Sequence, residues 1–345
     1  MKISLIRRQY TAFGGGEKFL VDLYRAMKNI GVEVEIKQFN QPKWLPSWIK
    51  FPYYDIQACH EKKGRFYYSL DRLSCLEIFN AGGGTHRGFL KTKGFTLNPL
   101  HLVHLWMEKR AFERSSHIIA VSKLVKKEIL SYYSVPPEKI SVIYNGIKIS
   151  QYDDNKYSHY KKKLFQKYKI SKEAKIILFV GSGFKRKGAE EFLSILSRLS
   201  IPYHAFLIGK EKNISHYLHL ANRLGIDRKV TFVGPHPNPE EFYYISDLFL
   251  FPTHYEPFGN VILEAMNFKN LVITTRQCGA GELLDDTFIM ENPEDENIYK
   301  LIEEYLRDEE KLNHIKESNY QRCQKFSIEN NAIETIKIAE RIKRK

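Results

Sequence analysis

The residues best suited to chemistry are two glutamates, Glu256 and Glu264, in the stretch FLFPTHYEPFGNVILEAMNFKNLVITT. An apolar, strand-length run precedes a loop, and a helical pattern follows it. Glu256 is therefore predicted in the loop and Glu264 just past the first turn of the helix. Both carboxylates can then face the ligand end of a sheet, where one can accept hydrogen bonds from sugar hydroxyls and the other from a ribose.

The start of that helix offers a second kind of group. The amides of Gly259, Asn260 and Val261 lie in the first turn, where N–H groups have no partner within the helix and suit phosphate oxygens. Pro257 and Phe258 precede them and are expected to hold the loop. A solvated helix residue is the alternative interpretation for Glu264 alone, and this rigid loop argues against it.

Three consecutive glycines, 14–16, follow the first apolar run in QYTAFGGGEKFL. Glycines between a strand and a helix let backbone amides approach a phosphate closely. The spacing matches neither the dinucleotide fingerprint nor the P-loop. A phosphate-binding loop and a plain flexible turn stay equally open at this point.

The sequence predicts two series of strands and helices, and these elements must position the candidate site residues. Residues 3–39 give strand, helix and strand, and apolar strand-length runs recur between residues 175 and 275 with helical patterns between several of them. The predicted fold class is α/β, with two Rossmann-like domains over residues 1–160 and 161–325 and a ligand cleft between them. The polar stretch after Gly146 is predicted as the linker, and residues 326–345 as a C-terminal helix that returns to the first domain.

The charge and the residue composition of the chain limit the classes of function that it can have. The 345 residues carry a formal net charge of +14, with 24 Lys and Arg against 12 Asp and Glu in residues 1–150. A basic front half favours a polyanionic partner: nucleic acid, an anionic membrane or a phosphorylated substrate. The four cysteines lie far apart without metal-ligand spacing and are expected to be reduced thiols. We find no signal peptide and no membrane span in the sequence.

Aromatic and basic residues alternate in two stretches of the first domain, residues 41–54 and 89–114. Aromatic and basic side chains together can stack on single-stranded nucleic acid or dock on an anionic membrane. The third alternative is that the aromatic residues belong to the core and the charged residues face solvent. With the site motifs considered, we expect peripheral association with the inner face of a cytoplasmic membrane, and no nucleic-acid partner.

Taken together, the motifs resemble the retaining family 4 glycosyltransferases of GT-B fold, and most closely the lipopolysaccharide core glucosyltransferases. The resemblance covers nearly the whole chain. It rests on E-P-F-G-x-x-x-x-E at residues 256–264 and on four further motifs: GGGEKF, VGSGFKRKG, YNGI and CGAGELL. It implies an N-terminal acceptor-binding domain and a C-terminal domain that binds a nucleotide-sugar.

The resemblance also implies roles for residues. Gly15 and Gly16 would lie beside the donor diphosphate and the acceptor, and Arg186 and Lys187 would neutralise the diphosphate leaving group. Many relatives carry an arginine where this chain has Ser182.

The remaining roles concern the sugar, the ribose and the acceptor. Glu256 would hold the donor sugar, and Glu264 the ribose. His86, in FNAGGGTHRGFL, would lie near the donor sugar and its phosphate, and a structural role is the alternative for it. Glu17 and Arg87 are candidates for the acceptor, and Arg87 could bind an acceptor phosphate or simply be exposed.

The implied reaction is transfer of a hexose, most simply glucose from UDP-glucose, to a lipopolysaccharide core or similar glycolipid, with the anomeric configuration retained. The leaving phosphate itself would take the acceptor proton. No D-x-D motif stands where a metal-dependent transferase would need one, so no metal and no other cofactor is expected. Alternatives are a nucleotide-sugar epimerase, a phosphorylase on the same fold, or a basic module that binds membrane or nucleic acid.

Overall fold

The computed structural model describes residues 2–8, 15–42, 44–93, 98–295 and 297–344. Gly14 of the glycine run, Lys43 and residues 94–97 of the aromatic and basic stretches lie outside the described residues. The described chain divides into two units, of which unit 1 comprises residues 1–148 with 326–345 and unit 2 comprises residues 149–325. The predicted α/β fold class, with two Rossmann-like domains, is confirmed.

Unit 1 is built on a parallel sheet of six strands among its described residues, in the order β2-β1-β3-β4-β5-β6. The strands are β1 (Ile3–Arg7), β2 (Val34–Gln38), β3 (Phe66–Ser69), β4 (Ile78–Asn80), β5 (His117–Ala120) and β6 (Ile140–Val142). The helices are α1 (Gly15–Asn29), α2 (Ser47–His60), α3 (His86–Lys91), α4 (Leu100–Arg114), α5 (Lys123–Tyr132) and, from the end of the chain, α14 (Ile328–Lys343). The strand order reverses between β1 and β3, which is where open α/β sheets bind ligands.

Unit 2 contains a second parallel sheet of six described strands, in the order β12-β11-β10-β7-β8-β9. The strands are β7 (Lys175–Val180), β8 (Tyr203–Ile208), β9 (Val230–Gly234), β10 (Leu248–Phe251), β11 (Leu271–Thr275) and β12 (Ile289–Met290). The helices are α6 (Asp154–Tyr168), α7 (Phe184–Lys187), α8 (Ala189–Ser197), α9 (Ile214–Arg223), α10 (Glu240–Ile245), α11 (Asn260–Asn267), α12 (Ile298–Arg307) and α13 (Glu309–Cys323). Its order reverses between β7 and β10.

Buried apolar strands hold both sheets in place. The four residues of β10, for example, are all fully buried, as expected for a parallel strand covered by helices on both faces. Helix α14 packs against α1 and completes the core of unit 1 with its buried apolar side chains, among them Ile328, Ala332 and Ala339. Unit 1 is therefore assembled from both ends of the chain.

The chain passes from unit 1 to unit 2 between residues 148 and 149, at the start of the predicted linker, and the non-helical segment there is shorter than the sequence suggested. Most of the polar stretch after Gly146 forms α6, which belongs to unit 2, and the boundary predicted at residue 160 falls inside this helix. Asp153 caps the helix by accepting hydrogen bonds from the backbone N–H groups of Asn155 and Lys156. Leu164 is its one fully buried side chain among the described residues, so the sequence carried almost no apolar period to reveal it.

The cysteine prediction is wrong for two of the four residues. Cys59 of α2 and Cys75 form a disulfide, with 5.6 Å between their Cα atoms. The two residues are 16 positions apart in the sequence, and this spacing gave no indication that the fold would bring the two thiols together. Cys278 and Cys323 are free and buried, as expected.

Candidate active site

The predicted donor residues of unit 2 come from loops at the point where its sheet order reverses. The segment after β7 carries Arg186 and Lys187 in the short helix α7, and the loop after β10 carries Glu256. The backbone carbonyl of Arg186 accepts hydrogen bonds from the N–H of His254, at 3.0 Å, and from the hydroxyl of Thr253, at 3.1 Å. The two loops are thus fixed to one another, and their side chains share one site.

That site is a compact charge cluster. The ammonium of Lys187 forms an ion pair with the carboxylate of Glu256, and the Arg186 guanidinium lies 3.3 Å from the same carboxylate. Arg186 also donates a 2.6 Å hydrogen bond to the carbonyl of Tyr255. Two cations therefore face one anion, which leaves the cluster with a positive balance suited to a diphosphate.

Lys187 is nearly buried, with 12% of its side chain exposed, and its ammonium lies 5.1 Å from the centre of the Phe251 ring. Burial first, and the neighbouring Arg186 charge second, lower the pKa of Lys187 to about 7. The contact with Glu256 acts in the opposite direction and favours the ammonium form. A phosphate that arrived at this position would do the same.

The Glu256 loop is held by hydrogen bonds with residues 277–280. The Glu256 N–H donates to the carbonyl of Gln277 at 2.9 Å, and Gly279 returns a hydrogen bond to the Glu256 carbonyl at 2.9 Å. The Phe258 side chain is only 1% exposed, so it anchors the loop and can reach a ligand only through its backbone. The CGAGELL motif thus supports the glutamate.

Helix α11 begins directly after this loop, at Asn260. Gly259 precedes it with a φ of +96°, and a Cβ there would lie 3.0 Å from Sγ of Cys278 and 3.1 Å from Cγ of Glu256, so glycine lets the turn close against these two side chains. Asn260 and Val261 form the first turn. Glu264 lies in the following turn and accepts a 3.1 Å hydrogen bond from the Tyr243 hydroxyl, a partner that the sequence interpretation missed.

In unit 1, Gly15 and Gly16 open α1 at the point where that sheet's order reverses. Glu17, proposed for the acceptor, is engaged in a 2.9 Å ion pair with Arg7. Arg7 in turn binds Asp71 at 2.6 Å, which follows β3. This network ties the first turn of α1 to the ends of two strands, and neither Arg7 nor Asp71 was predicted.

His86 is buried, with 8% exposure, and belongs to a cluster of three histidines. Its Nε2 lies 2.9 Å from Nδ1 of His101, and its ring centre lies 4.9 Å from that of His104. Burial above all, followed by the charge of Arg72, lowers the pKa of His86 to about 3. The imidazole is therefore neutral, and it can donate or accept a hydrogen bond but does not carry positive charge.

A buried carboxylate holds His86 in place. Glu108 of α4 is fully buried and accepts hydrogen bonds at 2.8 Å from the backbone N–H of His86, at 2.7 Å from Arg72 and at 2.5 Å from the Tyr133 hydroxyl. His101, His104 and Glu108 recur at i, i+3 and i+7 on α4. That helical period was the available sequence signal for all three.

Arg87 does not join this cluster. Its guanidinium lies 5.9 Å from the ring centre of Tyr132 and 5.8 Å from that of Tyr133. His86 and Arg87 are neighbours in the chain, but the structure gives their side chains different surroundings.

One group with metal-ligand chemistry occurs in the described part of the chain: Glu191, His254 and Glu294. His254 Nε2 is 2.8 Å from Glu191, and this hydrogen bond is the main cause of a raised His254 pKa. His254 Nδ1 also lies 3.8 Å from Glu294, so the imidazole is placed between the two carboxylates.

Two family models match the chain. The model described as Glycosyl transferases group 1 matches residues 160–322, and the model described as Glycosyltransferase Family 4 matches residues 80–151. The first match contains the whole Arg186, Lys187 and Glu256 cluster, and the second contains His86 and its partners on α4.

Relatives of known name share part of the sequence. The lipopolysaccharide glucosyltransferase WaaG of Escherichia coli is 28% identical over 210 residues, or 58% of this chain and 54% of WaaG. The capsular polysaccharide biosynthesis glycosyltransferase CapM of Staphylococcus aureus is 32% identical over 235 residues, or 63% of this chain and 58% of CapM. The matched part thus spans little more than half the length of each relative.

Solved structures share the fold over nearly the whole chain. A crystal structure of WaaG matches with a TM-score of 0.81 at 18% identity, covering 96% of this chain and 98% of that one. HepE of Anabaena, in complex with UDP and glucose, matches with a TM-score of 0.75 at 19% identity and covers 99% of both chains. The matched family models place residues 160–322 in the group 1 glycosyltransferases and residues 80–151 in glycosyltransferase family 4, and the two six-stranded sheets and these structures show that the chain has the GT-B fold.

Proposed function

We propose that this protein transfers a hexose, most simply glucose, from a UDP-linked donor to a glycolipid acceptor of the lipopolysaccharide core type. The observation that carries the proposal is the cluster of Arg186, Lys187 and Glu256 where the sheet order of unit 2 reverses. Support for the sugar and the acceptor comes from the names of WaaG and of HepE in complex with UDP and glucose.

The roles follow from the chemistry of each group. Lys187 and Arg186 neutralise the diphosphate as the glycosidic bond breaks, and Glu256 accepts hydrogen bonds from sugar hydroxyls. Glu264, steadied by Tyr243, accepts hydrogen bonds from the ribose. His86, neutral and held by Glu108, is a hydrogen-bonding group near the sugar.

The reaction proceeds with retention of the anomeric configuration, with the leaving phosphate as the base for the acceptor hydroxyl. It needs no metal, since the leaving group is neutralised by side chains. Proton NMR of the product distinguishes retention from inversion. If EDTA abolishes turnover and magnesium or manganese restores it, the proposal that the reaction needs no metal is wrong.

Isothermal titration of the protein with UDP, GDP, ADP and UDP-glucose tests the donor assignment, in parallel with Glu264→Ala. We expect UDP and UDP-glucose to bind and the substitution to weaken both, because the ribose loses a charged acceptor. Binding of another base alone would reassign the donor. Binding that is unaffected by Glu264→Ala would remove this residue from the site.

We further propose that unit 1 docks on an anionic membrane surface. None of the helices in the described residues combines the length and apolar character needed to cross a bilayer. Helices α2 and α4 pack together, and apolar side chains on and just before them are exposed. We call this the α2–α4 face; it carries Trp44, Trp48, Ile56, Leu102 and Trp106.

Basic residues on α4 give the α2–α4 face its charge. Lys109 and Arg110 lie within about one turn of Trp106, and the Arg110 guanidinium stacks 4.7 Å from the centre of the Trp106 ring. Aromatic rings at headgroup level and cations on lipid phosphates are the usual chemistry of peripheral membrane binding.

Co-sedimentation with vesicles containing phosphatidylglycerol at low salt tests this docking. We expect Leu102→Glu, on the α2–α4 face, to abolish binding, whereas Leu218→Glu, at an exposed leucine on α9 of unit 2, leaves it unchanged. Equal effects of the two substitutions would contradict the assignment of the face.

A further inference from the structure

A cavity of about 320 Å³ lies in unit 1 between α3, α4 and the end of α5. Among its lining residues, Arg87 alone entered the site predicted from the sequence. We name the cavity the Arg87 pocket, and its principal lining residues are Arg87, Trp106, Lys109, Glu113, Tyr132 and Tyr133.

The walls of the Arg87 pocket are aromatic, and its charges are mostly positive. Arg87 lies over the two tyrosine rings, and the ammonium of Lys91 lies 5.2 Å from the ring centre of Tyr132. The acidic residue in the lining, Glu113, is 3.7 Å from Lys109, which already balances it. Flat apolar walls suit the face of a sugar ring, and the remaining cations suit a phosphate.

The lining of the Arg87 pocket contains none of the three histidines, although its Tyr133 donates a hydrogen bond to Glu108, and the pocket borders the α2–α4 face. Trp106 belongs to both, since it lines the pocket and is 48% exposed. Leu102, 70% exposed, lies one turn earlier on α4. If this face meets a membrane, the pocket lies at the level of the lipid headgroups.

We propose that the Arg87 pocket binds the phosphorylated sugar of a membrane glycolipid, with Arg87 on the phosphate and the aromatic walls against the sugar ring. It is a second saccharide-phosphate site, which holds the lipid-linked acceptor beside the membrane while another part of that acceptor reacts. The glycolipid source rests on the proposed function, whereas the affinity for a sugar phosphate rests on the pocket alone.

The fluorescence of Trp106 can report binding in the Arg87 pocket. In the full-length protein with Trp44→Phe and Trp48→Phe, Trp106 is the remaining tryptophan, and its emission is followed during titration with glucose 6-phosphate, glucose or inorganic phosphate. We expect a saturable change with glucose 6-phosphate, a weaker one with phosphate and none with glucose. No saturable change with glucose 6-phosphate would overturn the proposal.

The matched variants are Arg87→Gln and Lys127→Gln, which each remove one charge, the second from an exposed position on α5 outside the pocket. Arg87→Gln should raise the dissociation constant for glucose 6-phosphate about tenfold, the effect of losing a charged hydrogen bond, and Lys127→Gln should leave it unchanged. Arg87→Lys keeps the charge without the planar fork and should give an intermediate value. Equal losses in Arg87→Gln and Lys127→Gln would contradict a specific site.

Vesicles that carry phosphorylated lipopolysaccharide, with and without phosphatase treatment, test the source of the ligand. The unsubstituted protein should prefer the untreated vesicles, and Arg87→Gln should lose that preference. Glucose 6-phosphate binding without such a preference would overturn the membrane source. Titration of the same protein with UDP separates this inference from the proposed function. If UDP binds and glucose 6-phosphate does not, only the inference about the Arg87 pocket is refuted.

Discussion

Lys187 is the residue whose chemistry is most sensitive to its surroundings. Its pKa is lowered to about 7 by burial and by Arg186, and a bound diphosphate would raise it again. Binding of UDP should therefore take up a proton, and affinity should fall as the pH rises above about 7, by at most about tenfold per pH unit. Titration calorimetry of UDP at several pH values up to about 9 measures this slope.

Lys187→Arg is the control for that slope, because a guanidinium stays charged throughout this range. The variant should bind UDP with an affinity that no longer falls with pH. A slope that persists in Lys187→Arg would assign the titration to another group.

Tyr243 is predicted to act through Glu264. Tyr243→Phe removes the 3.1 Å hydrogen bond to this carboxylate and leaves the buried ring in place. We expect UDP affinity to fall about fivefold, the usual worth of one such bond, and by less than in Glu264→Ala. Combining both substitutions should add nothing to Glu264→Ala, and a further loss in the double variant would place Tyr243 in the site independently.

At the level of elements, the segment between β7 and α8 holds the cations, and Gly188 closes it. Gly188 has a φ of +78°, and a Cβ there would lie 1.7 Å from the Pro252 carbonyl oxygen. Gly188→Ala must separate the two loops, which should cost more than about 3 kcal/mol of folding free energy and weaken UDP binding.

Gly183 is the matched control. It has a similar φ of +75°, but a Cβ there would meet no atom of the other described residues within 4 Å, so Gly183→Ala should cost only about 1 kcal/mol. Urea unfolding of both variants compares the two costs. Similar losses would show that backbone conformation, and not the approach of Pro252, makes Gly188 necessary.

At the scale of the whole molecule, we expect UDP binding to depend on the folding of unit 2 and not on the folding of unit 1. Ala339 of α14 is fully buried against the core of unit 1, so Ala339→Glu should destabilise this unit by several kcal/mol. UDP binding, assigned to unit 2, should persist under conditions in which unit 2 stays folded. Circular dichroism and UDP titration measure the two effects, with Glu340→Gln, at an exposed neighbouring position, as the control.

Most of the fold could be predicted because buried parallel strands are nearly continuous apolar runs. β7 and β10 are clear examples. The short strands β3 and β4 gave too few residues for a pattern, and α6 buries almost no apolar surface.

The candidate site was predictable only where its residues are close in sequence or belong to a motif. Arg186, Lys187 and Glu256 were found in this way, and the structure brings them together. Glu108 was missed because its importance lies in contacts with other elements, α3 and the end of α5.

The most direct test of the account is titration of UDP into the unsubstituted protein, Lys187→Ala and Lys185→Ala. Lys185 lies two residues away in α7 and is exposed, so it matches the charge change without the site. We predict that Lys187→Ala loses UDP affinity by about tenfold or more and that Lys185→Ala does not. Equal affinity of both variants, or no UDP binding by the unsubstituted protein, would contradict it.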